Sequence, residues 1–391
     1  MIGRKARRFS LARRQLFFER RRLIAATAGI TFAVVLMLIQ IGFYYAMIDS
    51  ATNVHKSVAA EVVITPSAFE YFGSEHDFDR ARLHQAMGVP GVKRVLPLYL
   101  TIGTFKNVDS GYRRSIMTLA VDPGQETLAL PAVREQQSRL KLGGHVLFDR
   151  KSLAAYYGDV IGKLEREGPF RGVVFDETVS IDGAFDLGTS FVAFGNILMG
   201  TQTYFALNPE ADPGRVNIGL VQIEEGLDSN VMRDRIAARL GGADVKVVTR
   251  EQFVQNEIDY WNTTAAIGFL FVVGAFMGFI VGSVIVYQIL YTNVTNHLPE
   301  YATLKAIGYK NFYFVRLVLM QSIYLSVIGF IPGALISYAL YEMTAMETGY
   351  TMALTLEKAG GTLAATMLMC FIAGLLAIRR LKQADPAELF S

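Results

Sequence analysis

The sequence predicts an α-helical membrane protein with four transmembrane helices, one ahead of a large α+β domain and three after it. Three observations carry this. Four runs of 20 or more residues, 23–48, 260–296, 317–341 and 359–378, hold no charged side chain, and about 20 apolar residues cross a bilayer core. Between the first and second runs lie 211 residues, 49–259, with 22 basic and 28 acidic side chains, enough chain to bury a core of its own. Basic residues then gather at alternate ends of the uncharged runs, which fixes one consistent orientation.

Residues 1–22 carry nine basic side chains against the single acid Glu19. Phe9, Ala12 and Leu16 recur among the arginines at helical spacing, as in a helix lying on an anionic membrane surface. Direct continuation into a span argues against a nucleic-acid arm, and no nucleic-acid partner is expected. The first span, 23–48, is too long for the apolar core of a signal peptide and is expected to stay as an anchor.

Segment 49–259 shows mixed signals. Residues 61–65, 92–105, 146–148, 172–181 and 216–223 are rich in β-branched residues, as strands are. Residues 79–87 look helical and stop before Gly88-Val89-Pro90-Gly91. Asp228 and Ser229 can cap a helix in which Met232, Ile236 and Leu240 share a face, ending at Gly241-Gly242. Thr249 and Gln252 have capping-box spacing. A helix running unbroken from there over 250–291 would reach about 63 Å at 1.5 Å per residue, twice the bilayer core, and its excess would form a stalk; a kink near Trp261-Asn262 is the alternative.

The second span, 260–291, carries Gly274, Gly278 and Gly282 on one face, a spacing that allows close helix packing within the chain or between two copies. Residues 292–316 form a polar loop. In it Pro299 suits a first helical position, Glu300 and Lys305 lie by the dipole ends they complement, and Gly308 suits a left-handed C-cap. Pro299, Glu300, Tyr301, Ala302, Thr303, Leu304, Lys305, Ala306, Ile307 and Gly308 therefore read as one short capped helix. The third span, 317–341, holds Pro332-Gly333 as an expected kink. The loop 342–358, the fourth span 359–378 with the single cysteine Cys370, and a tail 379–391 beginning Arg379-Arg380 complete the chain. Basic residues place the N-terminus, the polar loop and the tail in the cytoplasm, and the large domain and loop 342–358 outside.

Several chemistries are excluded by what the sequence lacks. It contains no G-x-x-x-x-G-K-[ST], no H-E-x-x-H and no G-x-S-x-G. One cysteine allows no intrachain disulfide, and the five histidines show no metal-ligand spacing. No span has a central ionisable residue, the mark of a proton or ion pathway, and four spans are few for an enclosed path, which favours a dimer. An enzyme, a metal site and an ion-driven carrier are not expected.

The stretch Leu298-Pro299-Glu300-Tyr301-Ala302-Thr303-Leu304-Lys305-Ala306-Ile307-Gly308-Tyr309, with Gln321, Gly329 and Gly333 after it, resembles the core of FtsX/MacB-type permeases. The stretch itself and Val146-Leu147-Phe148-Asp149-Arg150 are similar to the DevC-like subgroup of cyanobacterial exporters, and Val89-Pro90-Gly91-Val92 and Ala120-Val121-Asp122-Pro123 to MacB-like external domains. Gln321 stands where many wider-family members have an acid. The resemblance implies a MacB-like fold with stalk helices in the inner membrane. It also implies a homodimeric permease subunit whose helix 299–308 couples to a separate ABC ATPase, which alone binds ATP and Mg. Further implied partners are a periplasmic adaptor (membrane fusion) protein, a TolC-like outer-membrane channel and membrane lipids, with export of a lipid, glycolipid or other amphiphile. An FtsX-like subunit relaying force to a cell-wall hydrolase, or an anchored external sensor or scaffold, are the alternatives.

The orientation is checked by replacing Arg150 with cysteine in a Cys370→Ala chain. Intact cells should label at this position with a membrane-impermeant maleimide supplied outside; labelling only after lysis would reverse the topology.

Overall fold

The computed structural model describes residues 20–190, 193–297, 299, 303, 304, 306–309, 311–350 and 352–381. The basic arm before residue 20 and the tail after 381 lie outside them. Seven helices and nine strands carry the architecture. They are, in order, α1 (Arg20–Ser57), β1 (Val62–Pro66), α2 (Ala81–Met87), β2 (Val92–Lys106), β3 (Arg113–Val121), β4 (His145–Asp149), β5 (Phe170–Val174), β6 (Glu177–Phe185), β7 (Asn196–Gly200), β8 (Ile218–Ile223), α3 (Ser229–Leu240), β9 (Val245–Thr249), α4 (Arg250–Asp259), α5 (Ile267–Asn296), α6 (Asn311–Thr348) and α7 (Leu356–Leu381). The described chain divides into a helical unit (20–45, 269–344 and 352–381) and a mixed unit (46–268 and 345–350).

In the helical unit, stretches of α1, α5, α6 and α7 are long and apolar enough to cross a membrane. Backbone polar groups have no water partner in lipid, so each span must satisfy them within its own helix. α1 lies at the centre of the packing. A methyl group on Gly274 would sit 2.6 Å from Gln40 Cδ and one on Gly278 3.3 Å from Met37 Cγ, while one on Gly282 would collide with Met369 and, at 2.6 Å, with Ala33 Cβ. The glycine face of α5 is thus filled within the chain, mainly by α1. Gly329 and Gly333 do the same for α6: added methyls would lie 2.5 Å from Ile30 Cγ2 and 2.7 Å from Val34 Cγ1. Small residues let backbones approach closely where packing rather than water exclusion holds helices together.

The expected kink at Pro332-Gly333 does not end the helix, because α6 runs through Pro332. Proline donates no amide hydrogen and so frees a carbonyl one turn earlier. At the neighbouring carbonyl, of Gly329, the Thr31 hydroxyl donates a hydrogen bond of 3.0 Å. The Tyr341 hydroxyl donates likewise to the carbonyl of Leu38.

In the mixed unit, β1-α2-β2 and β8-α3-β9 form a split β-α-β pair with sheet order β9-β1-β8-β2, a ferredoxin-like arrangement. All its pairings are antiparallel, with Val63 opposite both Leu220 and Val248. One face is covered by α2 and α3 through Leu83, Ala86, Met232, Ile236 and Leu240. The other buries Val54 and Val58, from the end of α1, and Phe253. Covered on both sides, β1 is buried at every residue. The caps behave as their chemistry requires: Asp228 accepts from the amides of Asn230 and Val231, Gly241 takes φ +54°, and Thr249 and Gln252 form the full capping box.

Residues between β2 and β8 build a second lobe. β2 is 15 residues long, so its first half pairs with β8 and its second with β3. The order continues β3-β7-β4-β6-β5, and Phe105 of β2 pairs with Val174 of β5 to close the ring. The single strand expected over 172–181 is instead the hairpin β5-β6. Its two-residue turn, Phe175 at φ +52° and Asp176 at φ +66°, has the twist that suits a hairpin without the asparagine or glycine that usually marks one. Phe175 lies over Gly103, where a methyl group would be 2.6 Å from its ring.

The unbroken helix expected over 250–291 is the main correction. α4 ends at Asp259, and Tyr260–Thr264 form a π-helical turn closed by the Ala265 amide donating to the Tyr260 carbonyl at 2.9 Å. Ala266 then takes φ +56°, a conformation that costs a non-glycine residue about 1–2 kcal/mol. α5 starts anew at Ile267. The break falls where the kink alternative put it, within a few residues of Trp261.

The glycine contacts give a test of the bundle. Gly333→Leu should destabilise it by about 1–3 kcal/mol through overpacking, seen as a lower melting temperature of the purified chain in detergent. Gly360→Ala, where nothing lies within 4 Å of the added methyl, should leave it unchanged or raise it.

Candidate coupling site

Every described residue from Pro299 to Ala306 is helical; Glu300, Tyr301, Ala302 and Lys305, with Leu298 before them, lie outside the described residues. The Thr303 hydroxyl donates to the Pro299 carbonyl at 2.9 Å, and the Ile307 amide to the Thr303 carbonyl at 3.1 Å. Gly308 has φ +104° and the Tyr309 amide reaches back five residues to the Leu304 carbonyl at 3.1 Å. That is the Schellman pattern, in which a residue of positive φ lets the chain turn back on the last helical carbonyls. The end that the sequence assigns to Gly308 is therefore formed there.

The helix has two distinct sides. Leu304 is half-buried and packs on a cluster of Val294, Leu317, Val318 and Ile378, contributed by the ends of α5, α6 and α7. Ile307 is 71% exposed, and Phe312, at the start of α6, is 74% exposed. Both stand among Lys305, Lys310 and Arg316 in the chain, beyond the apolar stretches that cross the membrane. Leu304 is thus an apolar anchor, while Ile307 and Phe312 are large apolar side chains left exposed. Of the other residues singled out in the sequence, Gly274, Gly278 and Gly282 are used in packing α5 on α1 and are not brought to this surface.

Two of the three buried carboxylates in the mixed unit, Glu257 and Asp149, are the most completely enclosed, and none of the three has a counterpart in the site read from the sequence. Glu257 on α4 is 2% exposed. It accepts from the Phe72 amide at 2.9 Å and the Trp261 indole at 2.8 Å, and its Oε2 lies 3.4 Å from Nε2 of His55 on α1, itself fully buried. The His55 ring packs on Phe253, 4.1 Å between centroids, and on Phe72. One acid thus holds the end of α1, the loop after β1 and the π-helical turn beside the break. Its signal in the sequence was slight: an acid four residues before the only tryptophan.

Asp149, at the end of β4, is completely buried. It accepts from the amides of Lys151, Leu187 and Gly188 and from Asn196 Nδ2, at 2.7–3.1 Å. Burial pushes its carboxyl above the usual range, against the pull of these donors. The loop it fixes continues to Thr189, whose carbonyl accepts from Ser50 at 2.7 Å and whose hydroxyl donates to the Gly349 carbonyl at 3.3 Å. A point two turns before the end of α1 and the residue following α6 are tied to one loop. Among the described residues no cluster of three His, Cys, Asp or Glu could hold a metal ion.

Comparison with known proteins agrees with this layout. Residues 272–386 match the FtsX-like permease C-terminal domain, a region reaching from within α5 through the polar helix to the chain end. Comparison with curated proteins yields no match. Among solved structures the chain is similar to the periplasmic region of MacB from Actinobacillus actinomycetemcomitans, at 12% identity over 52% of this chain and 94% of that one, TM-score 0.33. It is similar to the extracellular domain of the noncanonic ABC-type transporter YknZ from Gram-positive bacteria, at 13% identity over 48% and 98%, TM-score 0.33. A domain of a permease protein from Porphyromonas gingivalis is similar at 18% identity over 50% and 89%, TM-score 0.30. The sequence match over residues 272–386, which take in the last three apolar helices and the capped helix among them, shows an FtsX-like permease C-terminal domain in this chain.

Proposed function

We propose that this permease is worked from the cytoplasm by a separate ABC ATPase that grips the helix 299–308, and that the resulting motion drives its external domain to extrude an amphiphile. The observation that carries the reading is the two-sided helix: Leu304 fastened to three span ends, with Ile307 and Phe312 turned outward. ATP and Mg would be bound by the partner. The chain works as a homodimer, and an adaptor protein and an outer-membrane channel carry the cargo onward. The DevC-like residues favour a lipid or glycolipid as cargo.

The route of the motion follows from continuity. A rigid stalk through the second span is interrupted by the π-helical turn and by Ala266. α1 and α6, each of 38 residues and about 57 Å long at 1.5 Å per residue, have no such interruption. α1 carries the Ser50 fastening two turns before its end, and α6 leads directly into the one at Gly349. These two helices are the levers, and α5 is the element free to bend.

The grip is tested at its exposed side. Ile307→Asp and Phe312→Asp should abolish co-purification of the ATPase encoded nearby while the permease still inserts and melts normally; undiminished capture would refute the proposal. Leu304→Asp is the poorer probe, because Leu304 is packed against the span ends and its loss would also damage the fold.

The cap is tested separately. A side chain at Gly308 would meet no atom within 4 Å, so Gly308→Val penalises only the backbone, by about 1–2 kcal/mol. ATPase stimulation by the permease should fall while the melting temperature of the helical unit stays within a few degrees of wild type.

A further inference from the structure

The helical unit contains a cavity of about 410 Å³ between α1, α5 and α7, within the range of small-molecule sites. It lies at the end of the bundle where the chain leaves it, after Tyr45 and before Phe269. Ile41 and Phe271 are among the residues that make its wall mostly apolar, and Lys358 and Glu357 stand at its edge. The Lys358 ammonium lies 4.7 Å from the centre of the Tyr45 ring and donates to the Ala353 carbonyl at 3.1 Å.

One group in this cavity is out of place for a helix packed in lipid. The Thr362 side chain is 1% exposed and its hydroxyl has no hydrogen-bond partner, although a helical threonine can normally use the carbonyl one turn back. An unpaired polar group buried among apolar ones costs enough that proteins rarely tolerate it. Gln40, facing the same space, brings a second amide into the span. Beside them Gly361 leaves room: a methyl group there meets nothing within 4 Å.

We infer that this cavity binds one glycerophospholipid of the surrounding bilayer. The apolar wall takes an acyl chain. Thr362 and Gln40 can hydrogen-bond the ester and glycerol oxygens. Lys358 meets the phosphate, and Glu357 complements an ammonium headgroup such as that of ethanolamine. A soluble anion would leave the apolar wall unused, and a hydrocarbon would leave the Thr362 hydroxyl unsatisfied and the Lys358 charge uncompensated by a phosphate, so the mixture itself selects an amphiphile. This site is separate from the ATPase grip and does not depend on what the permease exports.

The test is native mass spectrometry of the full chain, delipidated in detergent and re-exposed to dioleoylphosphatidylethanolamine or to dioleoylglycerol, which lacks the phosphate. Wild type should retain a single phosphatidylethanolamine and no diacylglycerol. Gly361→Leu, which fills the cavity, should lose retention roughly tenfold or more with an unchanged or higher melting temperature, and Lys358→Gln should weaken it about tenfold. Thr362→Val should weaken retention while raising stability in lipid-free detergent, a readout that loss of a structural contact would not give. The inference falls if wild type retains no lipid, as when the space holds only water or is closed by a second copy. It also falls if diacylglycerol binds equally well, or if Gly361→Leu or Lys358→Gln binds as wild type does.

Discussion

The close approach of α5 and α6 to α1 is the constraint on which the helical unit rests. Lipid tails are as apolar as the side chains, so burial from water gives neighbouring spans no reason to associate, and contact must come from fit. α1 supplies that fit on adjoining faces. Ala33, Met37 and Gln40 receive the glycines of α5, and Ile30 and Val34 receive those of α6. Because α6 keeps Pro332 within its length, a neighbour must also supply hydrogen bonding there, and Thr31 does so at the adjacent turn. The same helix continues to Ser57, where Val54, Val58 and His55 become part of the mixed unit's own core and polar fastening. A substitution that displaces α1 would therefore disturb both units through one element.

Buried charge is used sparingly and in the mixed unit alone among the described residues. A buried carboxylate is tolerable only when hydrogen bonds and charge replace its lost water. Glu257 accepts from an amide and an indole, with the His55 ring 3.4 Å away, and Asp149 accepts from four nitrogen donors. Such groups resist shear because sliding any one partner leaves a charge unsatisfied. Hydrophobic contacts could hold the same segments but would let them slide.

Much of this was legible in the sequence, for physical reasons that differ by element. The spans were readable because lipid requires long uncharged runs, and the caps at Asp228, Thr249, Gly241 and Gly308 because each needs a particular side chain or a positive φ. The hairpin at Phe175-Asp176 was not readable. Its turn uses residues that ordinarily avoid positive φ, held there by packing on Gly103, a contact 72 residues away in the chain. The strands Arg113–Val121 and Asn196–Gly200 were also missed; Asn196–Gly200 pairs only with strands far from it in the chain. The helix 299–308 was legible as a helix, but which side faces outward was not. That depends on Leu304 finding Val294 and Ile378 at the ends of other spans.

The break before α5 shows why element continuity matters more to function here than element count. Capping at Thr249 and an uncharged run without proline are both compatible with one long helix, and local propensity favours it. What overrides it is tertiary. Trp261 and Tyr260 stack around Tyr71 while the Trp261 indole reaches back to Glu257, and a π turn supplies the extra residue needed to bring both rings to that place. π turns inside helices often mark functional positions for this reason. The strain then appears at Ala266, one residue later than the turn's last hydrogen bond. A residue held at positive φ without being glycine is a conformation that the surroundings enforce, and it is released most easily if the rings around Glu257 move. The same carboxylate therefore holds both the end of α1 and the π-helical turn that precedes Ala266.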